Sequence, residues 1–293
     1  MRKLIIGCGY LGRRVAVAWL SDGHDVSALT RSERHAEELQ SVGITPIIGD
    51  VTKPPTLSEL PSADTLLYAV GFDRTAGLSQ RTVYVDGLTN VLQEVGSRIG
   101  RMIYISSTSV YGQQGGEWID EDSSTRPSTP SGQVCLDAEQ VVRDLFSSDA
   151  KSSPDAMAVV LRLAGIYGPS RLLRRIEAVR AGTPLAGDPC AWLNLIHVDD
   201  AVAAVRAIAT SAECGSTYLV SDDRPISRQD YFNRLAAIVG ADPPVFDPSM
   251  ESPLRVSGLG KRCSNRKLRT ELGVELRFPT IETGLPDAVA DRA

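Results

Sequence analysis

Histidine, lysine and aromatic residues are all scarce in this sequence. Three histidines (His24, His35, His197) stand among 293 residues, and none is grouped with cysteine. That excludes a zinc site of the Cys/His type. The five cysteines (Cys8, Cys135, Cys190, Cys214, Cys263) are odd in number and widely spread, with no Cys-x-x-Cys pair. A disulfide framework is therefore not expected, and the thiols read as reduced and mostly buried, as in a cytosolic protein. No apolar run reaches 18 residues, and the opening run Leu4–Ile6 is too short for a signal peptide. Charge of neither sign dominates: 31 Lys plus Arg against 36 Asp plus Glu give a net charge of −5. Such a chain has no general attraction to nucleic acid or anionic lipid. Internal repeats and low-complexity tracts are missing too. What remains is an average soluble composition, 42% hydrophobic and 23% charged. Its length suits one large domain, or a domain with an appended lobe.

Strand-like and helix-like segments alternate through the first half. Apolar runs at 3–6, 26–29, 44–48, 65–70, 102–106 and 158–163 predict six strands. Helical spacing predicts helices over 11–20, 33–42, 82–99 and 134–146, with Gly23 and Gly43 as stops. The stretch 123–133, rich in Ser, Thr and Pro, reads as a loop. Strands separated by helix-length crossovers imply a parallel, doubly wound α/β sheet covered on both faces. After Leu163 the rhythm changes to short helices (171–181, 199–210, 228–239) joined by Pro/Gly-rich connections, and 217–220 reads as a late strand.

The first strand runs into Gly7-Cys8-Gly9-Tyr10-Leu11-Gly12, a G-x-G-x-x-G that opens a helix. In a dinucleotide site Gly7 makes the tight turn and Gly9 lets backbone approach a pyrophosphate. Gly12 lets the helix pack close to the strand. The helix start offers free N–H groups and the positive end of its dipole to the phosphates. Strand–turn–helix context followed by a βαβ unit is what distinguishes this motif from an ordinary glycine turn. Gly7, Gly9, Tyr10, Leu11 and Gly12 are the expected binding residues.

The end of the second strand reads Thr30-Arg31-Ser32 and carries no carboxylate. An acidic residue there accepts from the ribose 2′-hydroxyl of NAD, whereas an arginine accommodates the 2′-phosphate of NADP. Arg31 offers a guanidinium fork and Ser32 a hydroxyl, so NADP(H) is expected over NAD(H). The competing reading makes Arg31 and Arg34 a solvated helix start.

Several further motifs occur in order along the chain: Gly49-Asp50-Val51, Ala69-Val70-Gly71, and Tyr104-Ile105-Ser106-Ser107 followed by Val110-Tyr111-Gly112. Arg162-Leu163-Ala164-Gly165-Ile166-Tyr167-Gly168-Pro169, Ile196-His197-Val198-Asp199-Asp200 and Lys267-Leu268-Arg269-Thr270-Glu271-Leu272-Gly273 complete the set. With the glycine motif, they resemble the extended short-chain dehydrogenase/reductases, the NAD(P)-dependent epimerase/dehydratase group, and most closely its atypical members. The resemblance implies a Rossmann-type sheet with a smaller C-terminal substrate lobe. It implies that Asp50 and Val51 flank the adenine, and that Ala69, Val70 and Gly71 lie by the ribose and pyrophosphate. Ser106, Ser107, Leu163 and Ala164 would stand near the nicotinamide. His197 is implied to be structural.

Catalytic members carry a tyrosine, and a lysine four residues later, on the helix after strand five. The lysine lowers the phenol pKa so that the tyrosine exchanges a proton. Registered on Ala138-Glu139, this chain has Ser131 and Cys135 at those positions, and its five lysines (Lys3, Lys53, Lys151, Lys261, Lys267) lie elsewhere. Ser107 matches the residue that holds the substrate oxygen. Tyr111 is the candidate for a displaced acid, with packing as its competing role.

The expected organisation is an NADP-binding core of 1–166 plus 190–222 and a substrate-facing lobe of 167–189 plus 223–285. The expected function is an epimerase/dehydratase-like oxidoreductase acting on a small polar metabolite such as a sugar or sugar nucleotide. The alternative is a non-catalytic NADP(H) sensor of the same fold. Arg174 and Arg175 are candidates to meet an anionic substrate, or plain solvated surface. No metal is expected. The predicted helices 82–99 and 134–146 would pair in a homodimer.

Overall fold

A computed structural model describes residues 1–146, 156–247, 249–250 and 260–290. Lys151, and the part of the expected lobe at 248 and 251–259, lie outside them. In chain order the elements are β1 (Arg2–Ile6), α1 (Tyr10–Ser21), β2 (Asp25–Thr30), α2 (Glu33–Gln40), β3 (Thr45–Ile48) and β4 (Ala63–Tyr68). Then come α3 (Gly87–Val95), β5 (Ile99–Ser107), β6 (Gly115–Ile119), α4 (Pro130–Leu145), β7 (Met157–Leu163), β8 (Gly165–Tyr167), α5 (Leu173–Arg180) and β9 (Leu185–Ala186). The last are β10 (Trp192–Leu193), β11 (Leu195–His197), α6 (Val198–Thr210), β12 (Thr217–Val220), β13 (Ile226–Ser227), α7 (Arg228–Val239), β14 (Phe246–Asp247), β15 (Gly260–Cys263), α8 (Arg266–Leu272) and α9 (Ile281–Val289).

Seven strands form one sheet in the order β12-β7-β5-β4-β1-β2-β3. The β1/β2, β1/β4, β2/β3 and β4/β5 pairs are parallel. The Val160 and Ala164 N–H groups donate to Ser216 and Val220 carbonyls, each 2.9 Å, an in-step progression that makes β7 and β12 parallel as well. Strand order reverses between β1 and β4. In a doubly wound sheet that reversal opens a crevice at the carboxyl ends of the strands.

By contact the chain forms two compact units. The first holds residues 1–111, 125–162 and 202–218; the second holds 112–124, 163–201 and 219–293. In the first unit, α1 buries Leu11, Val15, Ala16 and Trp19 along one stripe at helical spacing. Each large side chain so buried contributes about 1.5–3 kcal/mol. The core on the α3 and α4 side gathers Leu66, Leu88, Val91, Met102, Ala138 and Val142. In the second unit, Leu172, Val179, Tyr231, Leu235, Ile281 and Leu285 from around α5, α7 and α9 make a separate core. Four two-stranded ladders complete that unit, namely β8/β11, β9/β14, β10/β13 and β6/β15.

Two expectations need correction. Helix α4 starts at Pro130 instead of Val134, taking the end of the 123–133 loop. The Thr129 hydroxyl caps it by accepting from the Gly132 N–H at 3.1 Å, and Pro130 fits the first turn. A Ser/Thr/Pro-rich stretch hides such a cap because its residues also make loops. The helix expected over 82–99 is divided: residues 82–86 make a wide π turn, α3 follows, and 96–98 tighten into a 3-10 turn before β5. Gly87 permits a close approach here, since a Cβ would stand 2.8 Å from the Val51 side chain. A further difference is β6, a strand in a stretch for which no element was predicted. Its partner β15 lies far along the chain, so its own sequence carries no pairing signal.

Candidate functional site

The first unit contains a cavity of about 230 Å³ where β1, β2, β3 and β4 end. Its floor is the glycine turn. Gly7 has φ +95°, and a Cβ on it would come 2.5 Å from the Ala69 carbonyl carbon and the Val70 nitrogen. Only glycine admits both this conformation and the chain after β4 at that distance. A Cβ on Gly12 would overlap the Gly7 carbonyl oxygen, so the α1 start is held against the turn. At Gly9 nothing lies within 4 Å of where a Cβ would be, an open cradle. Gly9 is the α1 N-cap and supplies no side-chain acceptor, so the first helical N–H groups keep their donor capacity.

The walls come from three turns. From the end of β2 to the start of α2 stand Thr30, Arg31 and His35; after β3, Gly49, Asp50, Val51 and Thr52; after β4, Val70, Gly71 and Asp73. One Asp50 carboxylate oxygen accepts from both the N–H and the hydroxyl of Thr52, at 2.9 and 2.8 Å. Asn90 on α3 donates to the Val51 carbonyl at 2.9 Å, which fixes that turn to the helix. Ser32 caps α2, accepting from the His35 N–H at 3.3 Å. Arg31 reaches across to Asp73, Nη2 to Oδ2 3.9 Å, with both side chains about half exposed.

Of the residues expected to bind a dinucleotide, Gly7, Gly9, Arg31, Asp50, Val51, Val70 and Gly71 line this cavity together. Tyr10, Leu11, Gly12, Ser32 and Ala69 adjoin it in sequence without lining it. Ser106 points elsewhere, its hydroxyl donating to Glu139 Oε1 at 2.6 Å. Leu163 and Ala164 are buried residues of the second unit. Lining residues missed from the sequence include Cys8, His35, Asp73, Ala76, Leu78 and Val83. Cys8 stands inside the motif and was legible there. The others come from loops and helix starts whose position no local pattern reveals. His35 ties α2 to the glycine turn, Nε2 3.4 Å from the Cys8 carbonyl and Nδ1 3.0 Å from Glu38. Burial pushes the Cys8 thiol up to about 11, so it is an inert liner.

At the end of β5, Ser107 Oγ accepts from the Ser109 N–H at 3.1 Å. Tyr111 is 1% exposed, and its hydroxyl accepts from Arg162 Nη1 at 2.7 Å. The phenol thus satisfies a buried guanidinium. On α4, Ser131 is exposed in the first turn and Cys135 is buried one turn later on the same face. Burial raises the Cys135 thiol, and the Ser109 side chain hydrogen-bonds it. In the 82–86 turn, which packs on α4, stands Tyr84, a half-buried phenol that sequence reading passed over. Burial raises Tyr84, against the pull of hydrogen bonds from the Phe72 backbone and the Gln80 side chain. Its chain neighbour Val83 and the residues Gly71 and Asp73 beside Phe72 all line the cavity.

His197 is fully buried in the second unit, stacked edge-on with Tyr167 at 5.2 Å and facing Asp287 Oδ2 at 3.2 Å. Burial lowers its pKa, and neutral His197 is a core residue there. Arg175 donates to the Tyr231 hydroxyl at 3.1 Å. Among the described residues no His/Cys/Asp/Glu group could hold a metal ion, and no helix is long and apolar enough to cross a membrane.

A glycine turn against the chain after β4, and a cavity at the strand-order reversal, are joined by a match of residues 4–221 to the sequence pattern of the NAD dependent epimerase/dehydratase family. The chain belongs to that family. Protein YeeZ of Escherichia coli strain K12 is 27% identical over 286 residues, covering 95% of this chain and 97% of its own. The 3-diazoavenalumate denitrifying reductase of a Streptomyces species is 26% identical, covering 97% and 99%. Among solved structures, a Methylobacillus flagellatus protein described as an NAD-dependent epimerase/dehydratase is 30% identical, with TM-score 0.75 over 98% of this chain and 97% of the other. MoeE5 in complex with UDP-glucuronic acid and NAD has TM-score 0.82 at 21% identity over 98% and 97%, a likeness of fold. As an epimerase/dehydratase family member, the chain has the architecture of an NAD(P)-dependent oxidoreductase.

Proposed function

We propose that the protein is an NADP(H)-dependent oxidoreductase that reduces a carbonyl of a small polar metabolite, such as a sugar or sugar nucleotide, with a displaced proton donor. The observation that carries the reading is the cavity wall at the end of β2, where Arg31 stands and no carboxylate does. The open cradle at Gly9 fits a pyrophosphate. Asp50 and Val51 would flank the adenine, Arg31 and Ser32 would meet the 2′-phosphate, and Ala69, Val70 and Gly71 would border the ribose and pyrophosphate. When bound, the cofactor supplies a hydride.

The chain's own residues supply orientation and a proton. Ser107 holds the substrate oxygen. Ser131 and Cys135 stand where a catalytic tyrosine and lysine would, and neither performs their chemistry: a serine hydroxyl is too weak an acid and a thiol carries no fixed positive charge. With Tyr111 engaged by Arg162, the donor we assign is Tyr84, in the 82–86 turn that packs on α4 and next to the cavity-lining Val83. Residues 167–189 plus 223–285 form the substrate-selecting lobe. The protein works in the cytoplasm, and its helices around 82–99 and 130–145 pair two copies.

Incubation with NADPH and a carbonyl panel, followed by loss of nicotinamide absorbance, tests the reading. Turnover is expected, with Tyr84→Phe losing about 100-fold or more of it while NADPH binding is retained. Full turnover in Tyr84→Phe removes that donor. NADPH binding with no carbonyl reduced would favour the second reading, a non-catalytic NADP(H) sensor, which the replacement of lysine by Cys135 also supports. No heat from any adenine dinucleotide on titration calorimetry overturns both.

A further inference from the structure

The second unit brings together three residues that are remote in sequence. Arg262 on β15 is the register partner of Trp118 on β6. Its guanidinium carbon stands 5.1 Å from the Trp118 ring centroid and 5.3 Å from that of Trp192 on β10. Nε donates to the Gly116 carbonyl at 2.7 Å. The neighbouring register pair, Cys263 and Ile119, is buried at 1% and 2%, so strand alternation puts Trp118 and Arg262 on the opposite face. Asn194 fastens the arrangement: its Nδ2 donates to the Lys261 carbonyl at 2.8 Å and its Oδ1 accepts from the Cys263 N–H at 2.7 Å. These two bonds bracket Arg262 on β15 and follow Trp192 by two residues.

The result is a guanidinium fixed through its Nε and lying against two indoles, while Nη1 and Nη2 bond to no described residue. A flexible arginine loses much rotamer freedom when held this way. What it gains is a planar fork of donors set in advance, the geometry that binds a carboxylate or phosphate bidentately. Trp118 remains 54% exposed, a large flat apolar surface left beside the fork. Two charge–aromatic contacts would be satisfied without leaving that surface open or those donors unmet.

We propose that Arg262, Trp118 and Trp192 form a binding site for an oxyanion, a carboxylate or a phosphate ester, attached to an apolar or planar body. The fork grips the oxyanion, and the body lies on the Trp118 indole. This goes beyond the reductase reading and does not rest on it: the site lies within the second unit, and its test uses neither nicotinamide nor turnover.

The chain has three tryptophans, and Trp19 is buried in the first unit, so indole N–H signals of the nitrogen-15-labelled protein provide two reporters and an internal control. Trp→Phe variants assign them. Benzoate, phenyl phosphate, acetate and inorganic phosphate are titrated, with neutral benzamide as control. Benzoate or phenyl phosphate is expected to shift the Trp118 and Trp192 signals saturably and leave Trp19 in place. Whichever binds more tightly identifies carboxylate or phosphate as the natural group. Arg262→Gln should weaken binding at least tenfold. Arg262→Lys, which keeps charge and stem but loses the fork, should also weaken it several-fold, and it decides the matter should the glutamine variant fail to fold. The proposal is overturned by the absence of saturable shifts with any anion, by equal binding of benzamide, or by a folded Arg262 variant that binds as wild type.

Discussion

Arg162 and Glu139 meet side-on inside the first unit, Nε 3.0 Å from Oε1 and Nη2 2.8 Å from Oε2, with both side chains almost wholly removed from solvent. The pair joins β7 to α4 and draws in the end of β5 and the segment that follows it. Ser106 donates to the same carboxylate, and the Tyr111 hydroxyl accepts from the same guanidinium. A buried pair of this kind is defended by its completeness: removing one partner strands the other charge away from water. Arg162→Met should cost about 3–5 kcal/mol of unfolding free energy. Glu139→Gln/Arg162→Met should cost less than the sum of the two single changes. Urea titrations of the three variants measure both.

Tyr111→Phe removes the phenol's bond to Arg162 from that network. It should lower stability by about 1–3 kcal/mol, since a buried charged donor is left unmet, and leave the kcat of any turnover nearly unchanged. A thermal melt with a parallel rate measurement separates this outcome from a role as proton donor, which would show the reverse.

At the cavity, Arg31→Ser should weaken NADPH about 10- to 100-fold, the worth of a hydrogen-bonded contact to a charged group, and barely alter NADH. Equal losses would remove the 2′-phosphate assignment. Asp73→Asn should do the opposite. Taking a carboxylate from 3.9 Å beside Arg31 frees the guanidinium and relieves repulsion on an incoming phosphate, so NADPH should tighten a few-fold. Titration calorimetry with both cofactors reads all four affinities.

In the second unit, Asp222 is 1% exposed, Oδ1 accepts from the Arg224 N–H at 3.3 Å, and Oδ2 has no partner. Burial pushes its carboxyl up to about 8. A folded-state value raised above the unfolded one stabilises the fold at low pH, and this contribution is lost as pH rises from about 4 through about 8. Asp222→Asn should therefore gain stability relative to wild type as pH increases across that window. His197, whose pKa burial lowers, acts with the opposite sign: its contribution is lost as pH falls below 6.5. The Asn-minus-wild-type difference isolates Asp222. Urea unfolding at pH 5 and pH 8 checks it, and a pH-independent difference refutes it.

The Tyr167 hydroxyl is buried without a partner, and a Cβ on Gly284 of α9 would overlap it. Tyr167→Phe should be neutral or stabilising by about 1 kcal/mol, since an unmet polar group disappears. Gly284→Ala should cost about 1–3 kcal/mol through overpacking. The double variant should recover part of that loss, because the offending oxygen is gone. Calorimetric melts of the three proteins test the coupling.

The sequence by itself determined the βαβ rhythm, the glycine turn with its helix, and the basic residue at the end of β2. Each is a local matter: apolar spacing sets element type, a glycine admits φ +95°, and a neighbouring strand end places Arg31. Tertiary structure alone decided what each phenol meets. Tyr111 is bound by an arginine 51 residues away, and Tyr84 stands by α4 only because the 82–86 turn packs on that helix. It also decided that Trp118, Trp192 and Arg262 share one face, since β6 finds its partner β15 more than 140 residues later. Pairing and packing at such distances come from the burial of whole surfaces, which no short window of residues encodes.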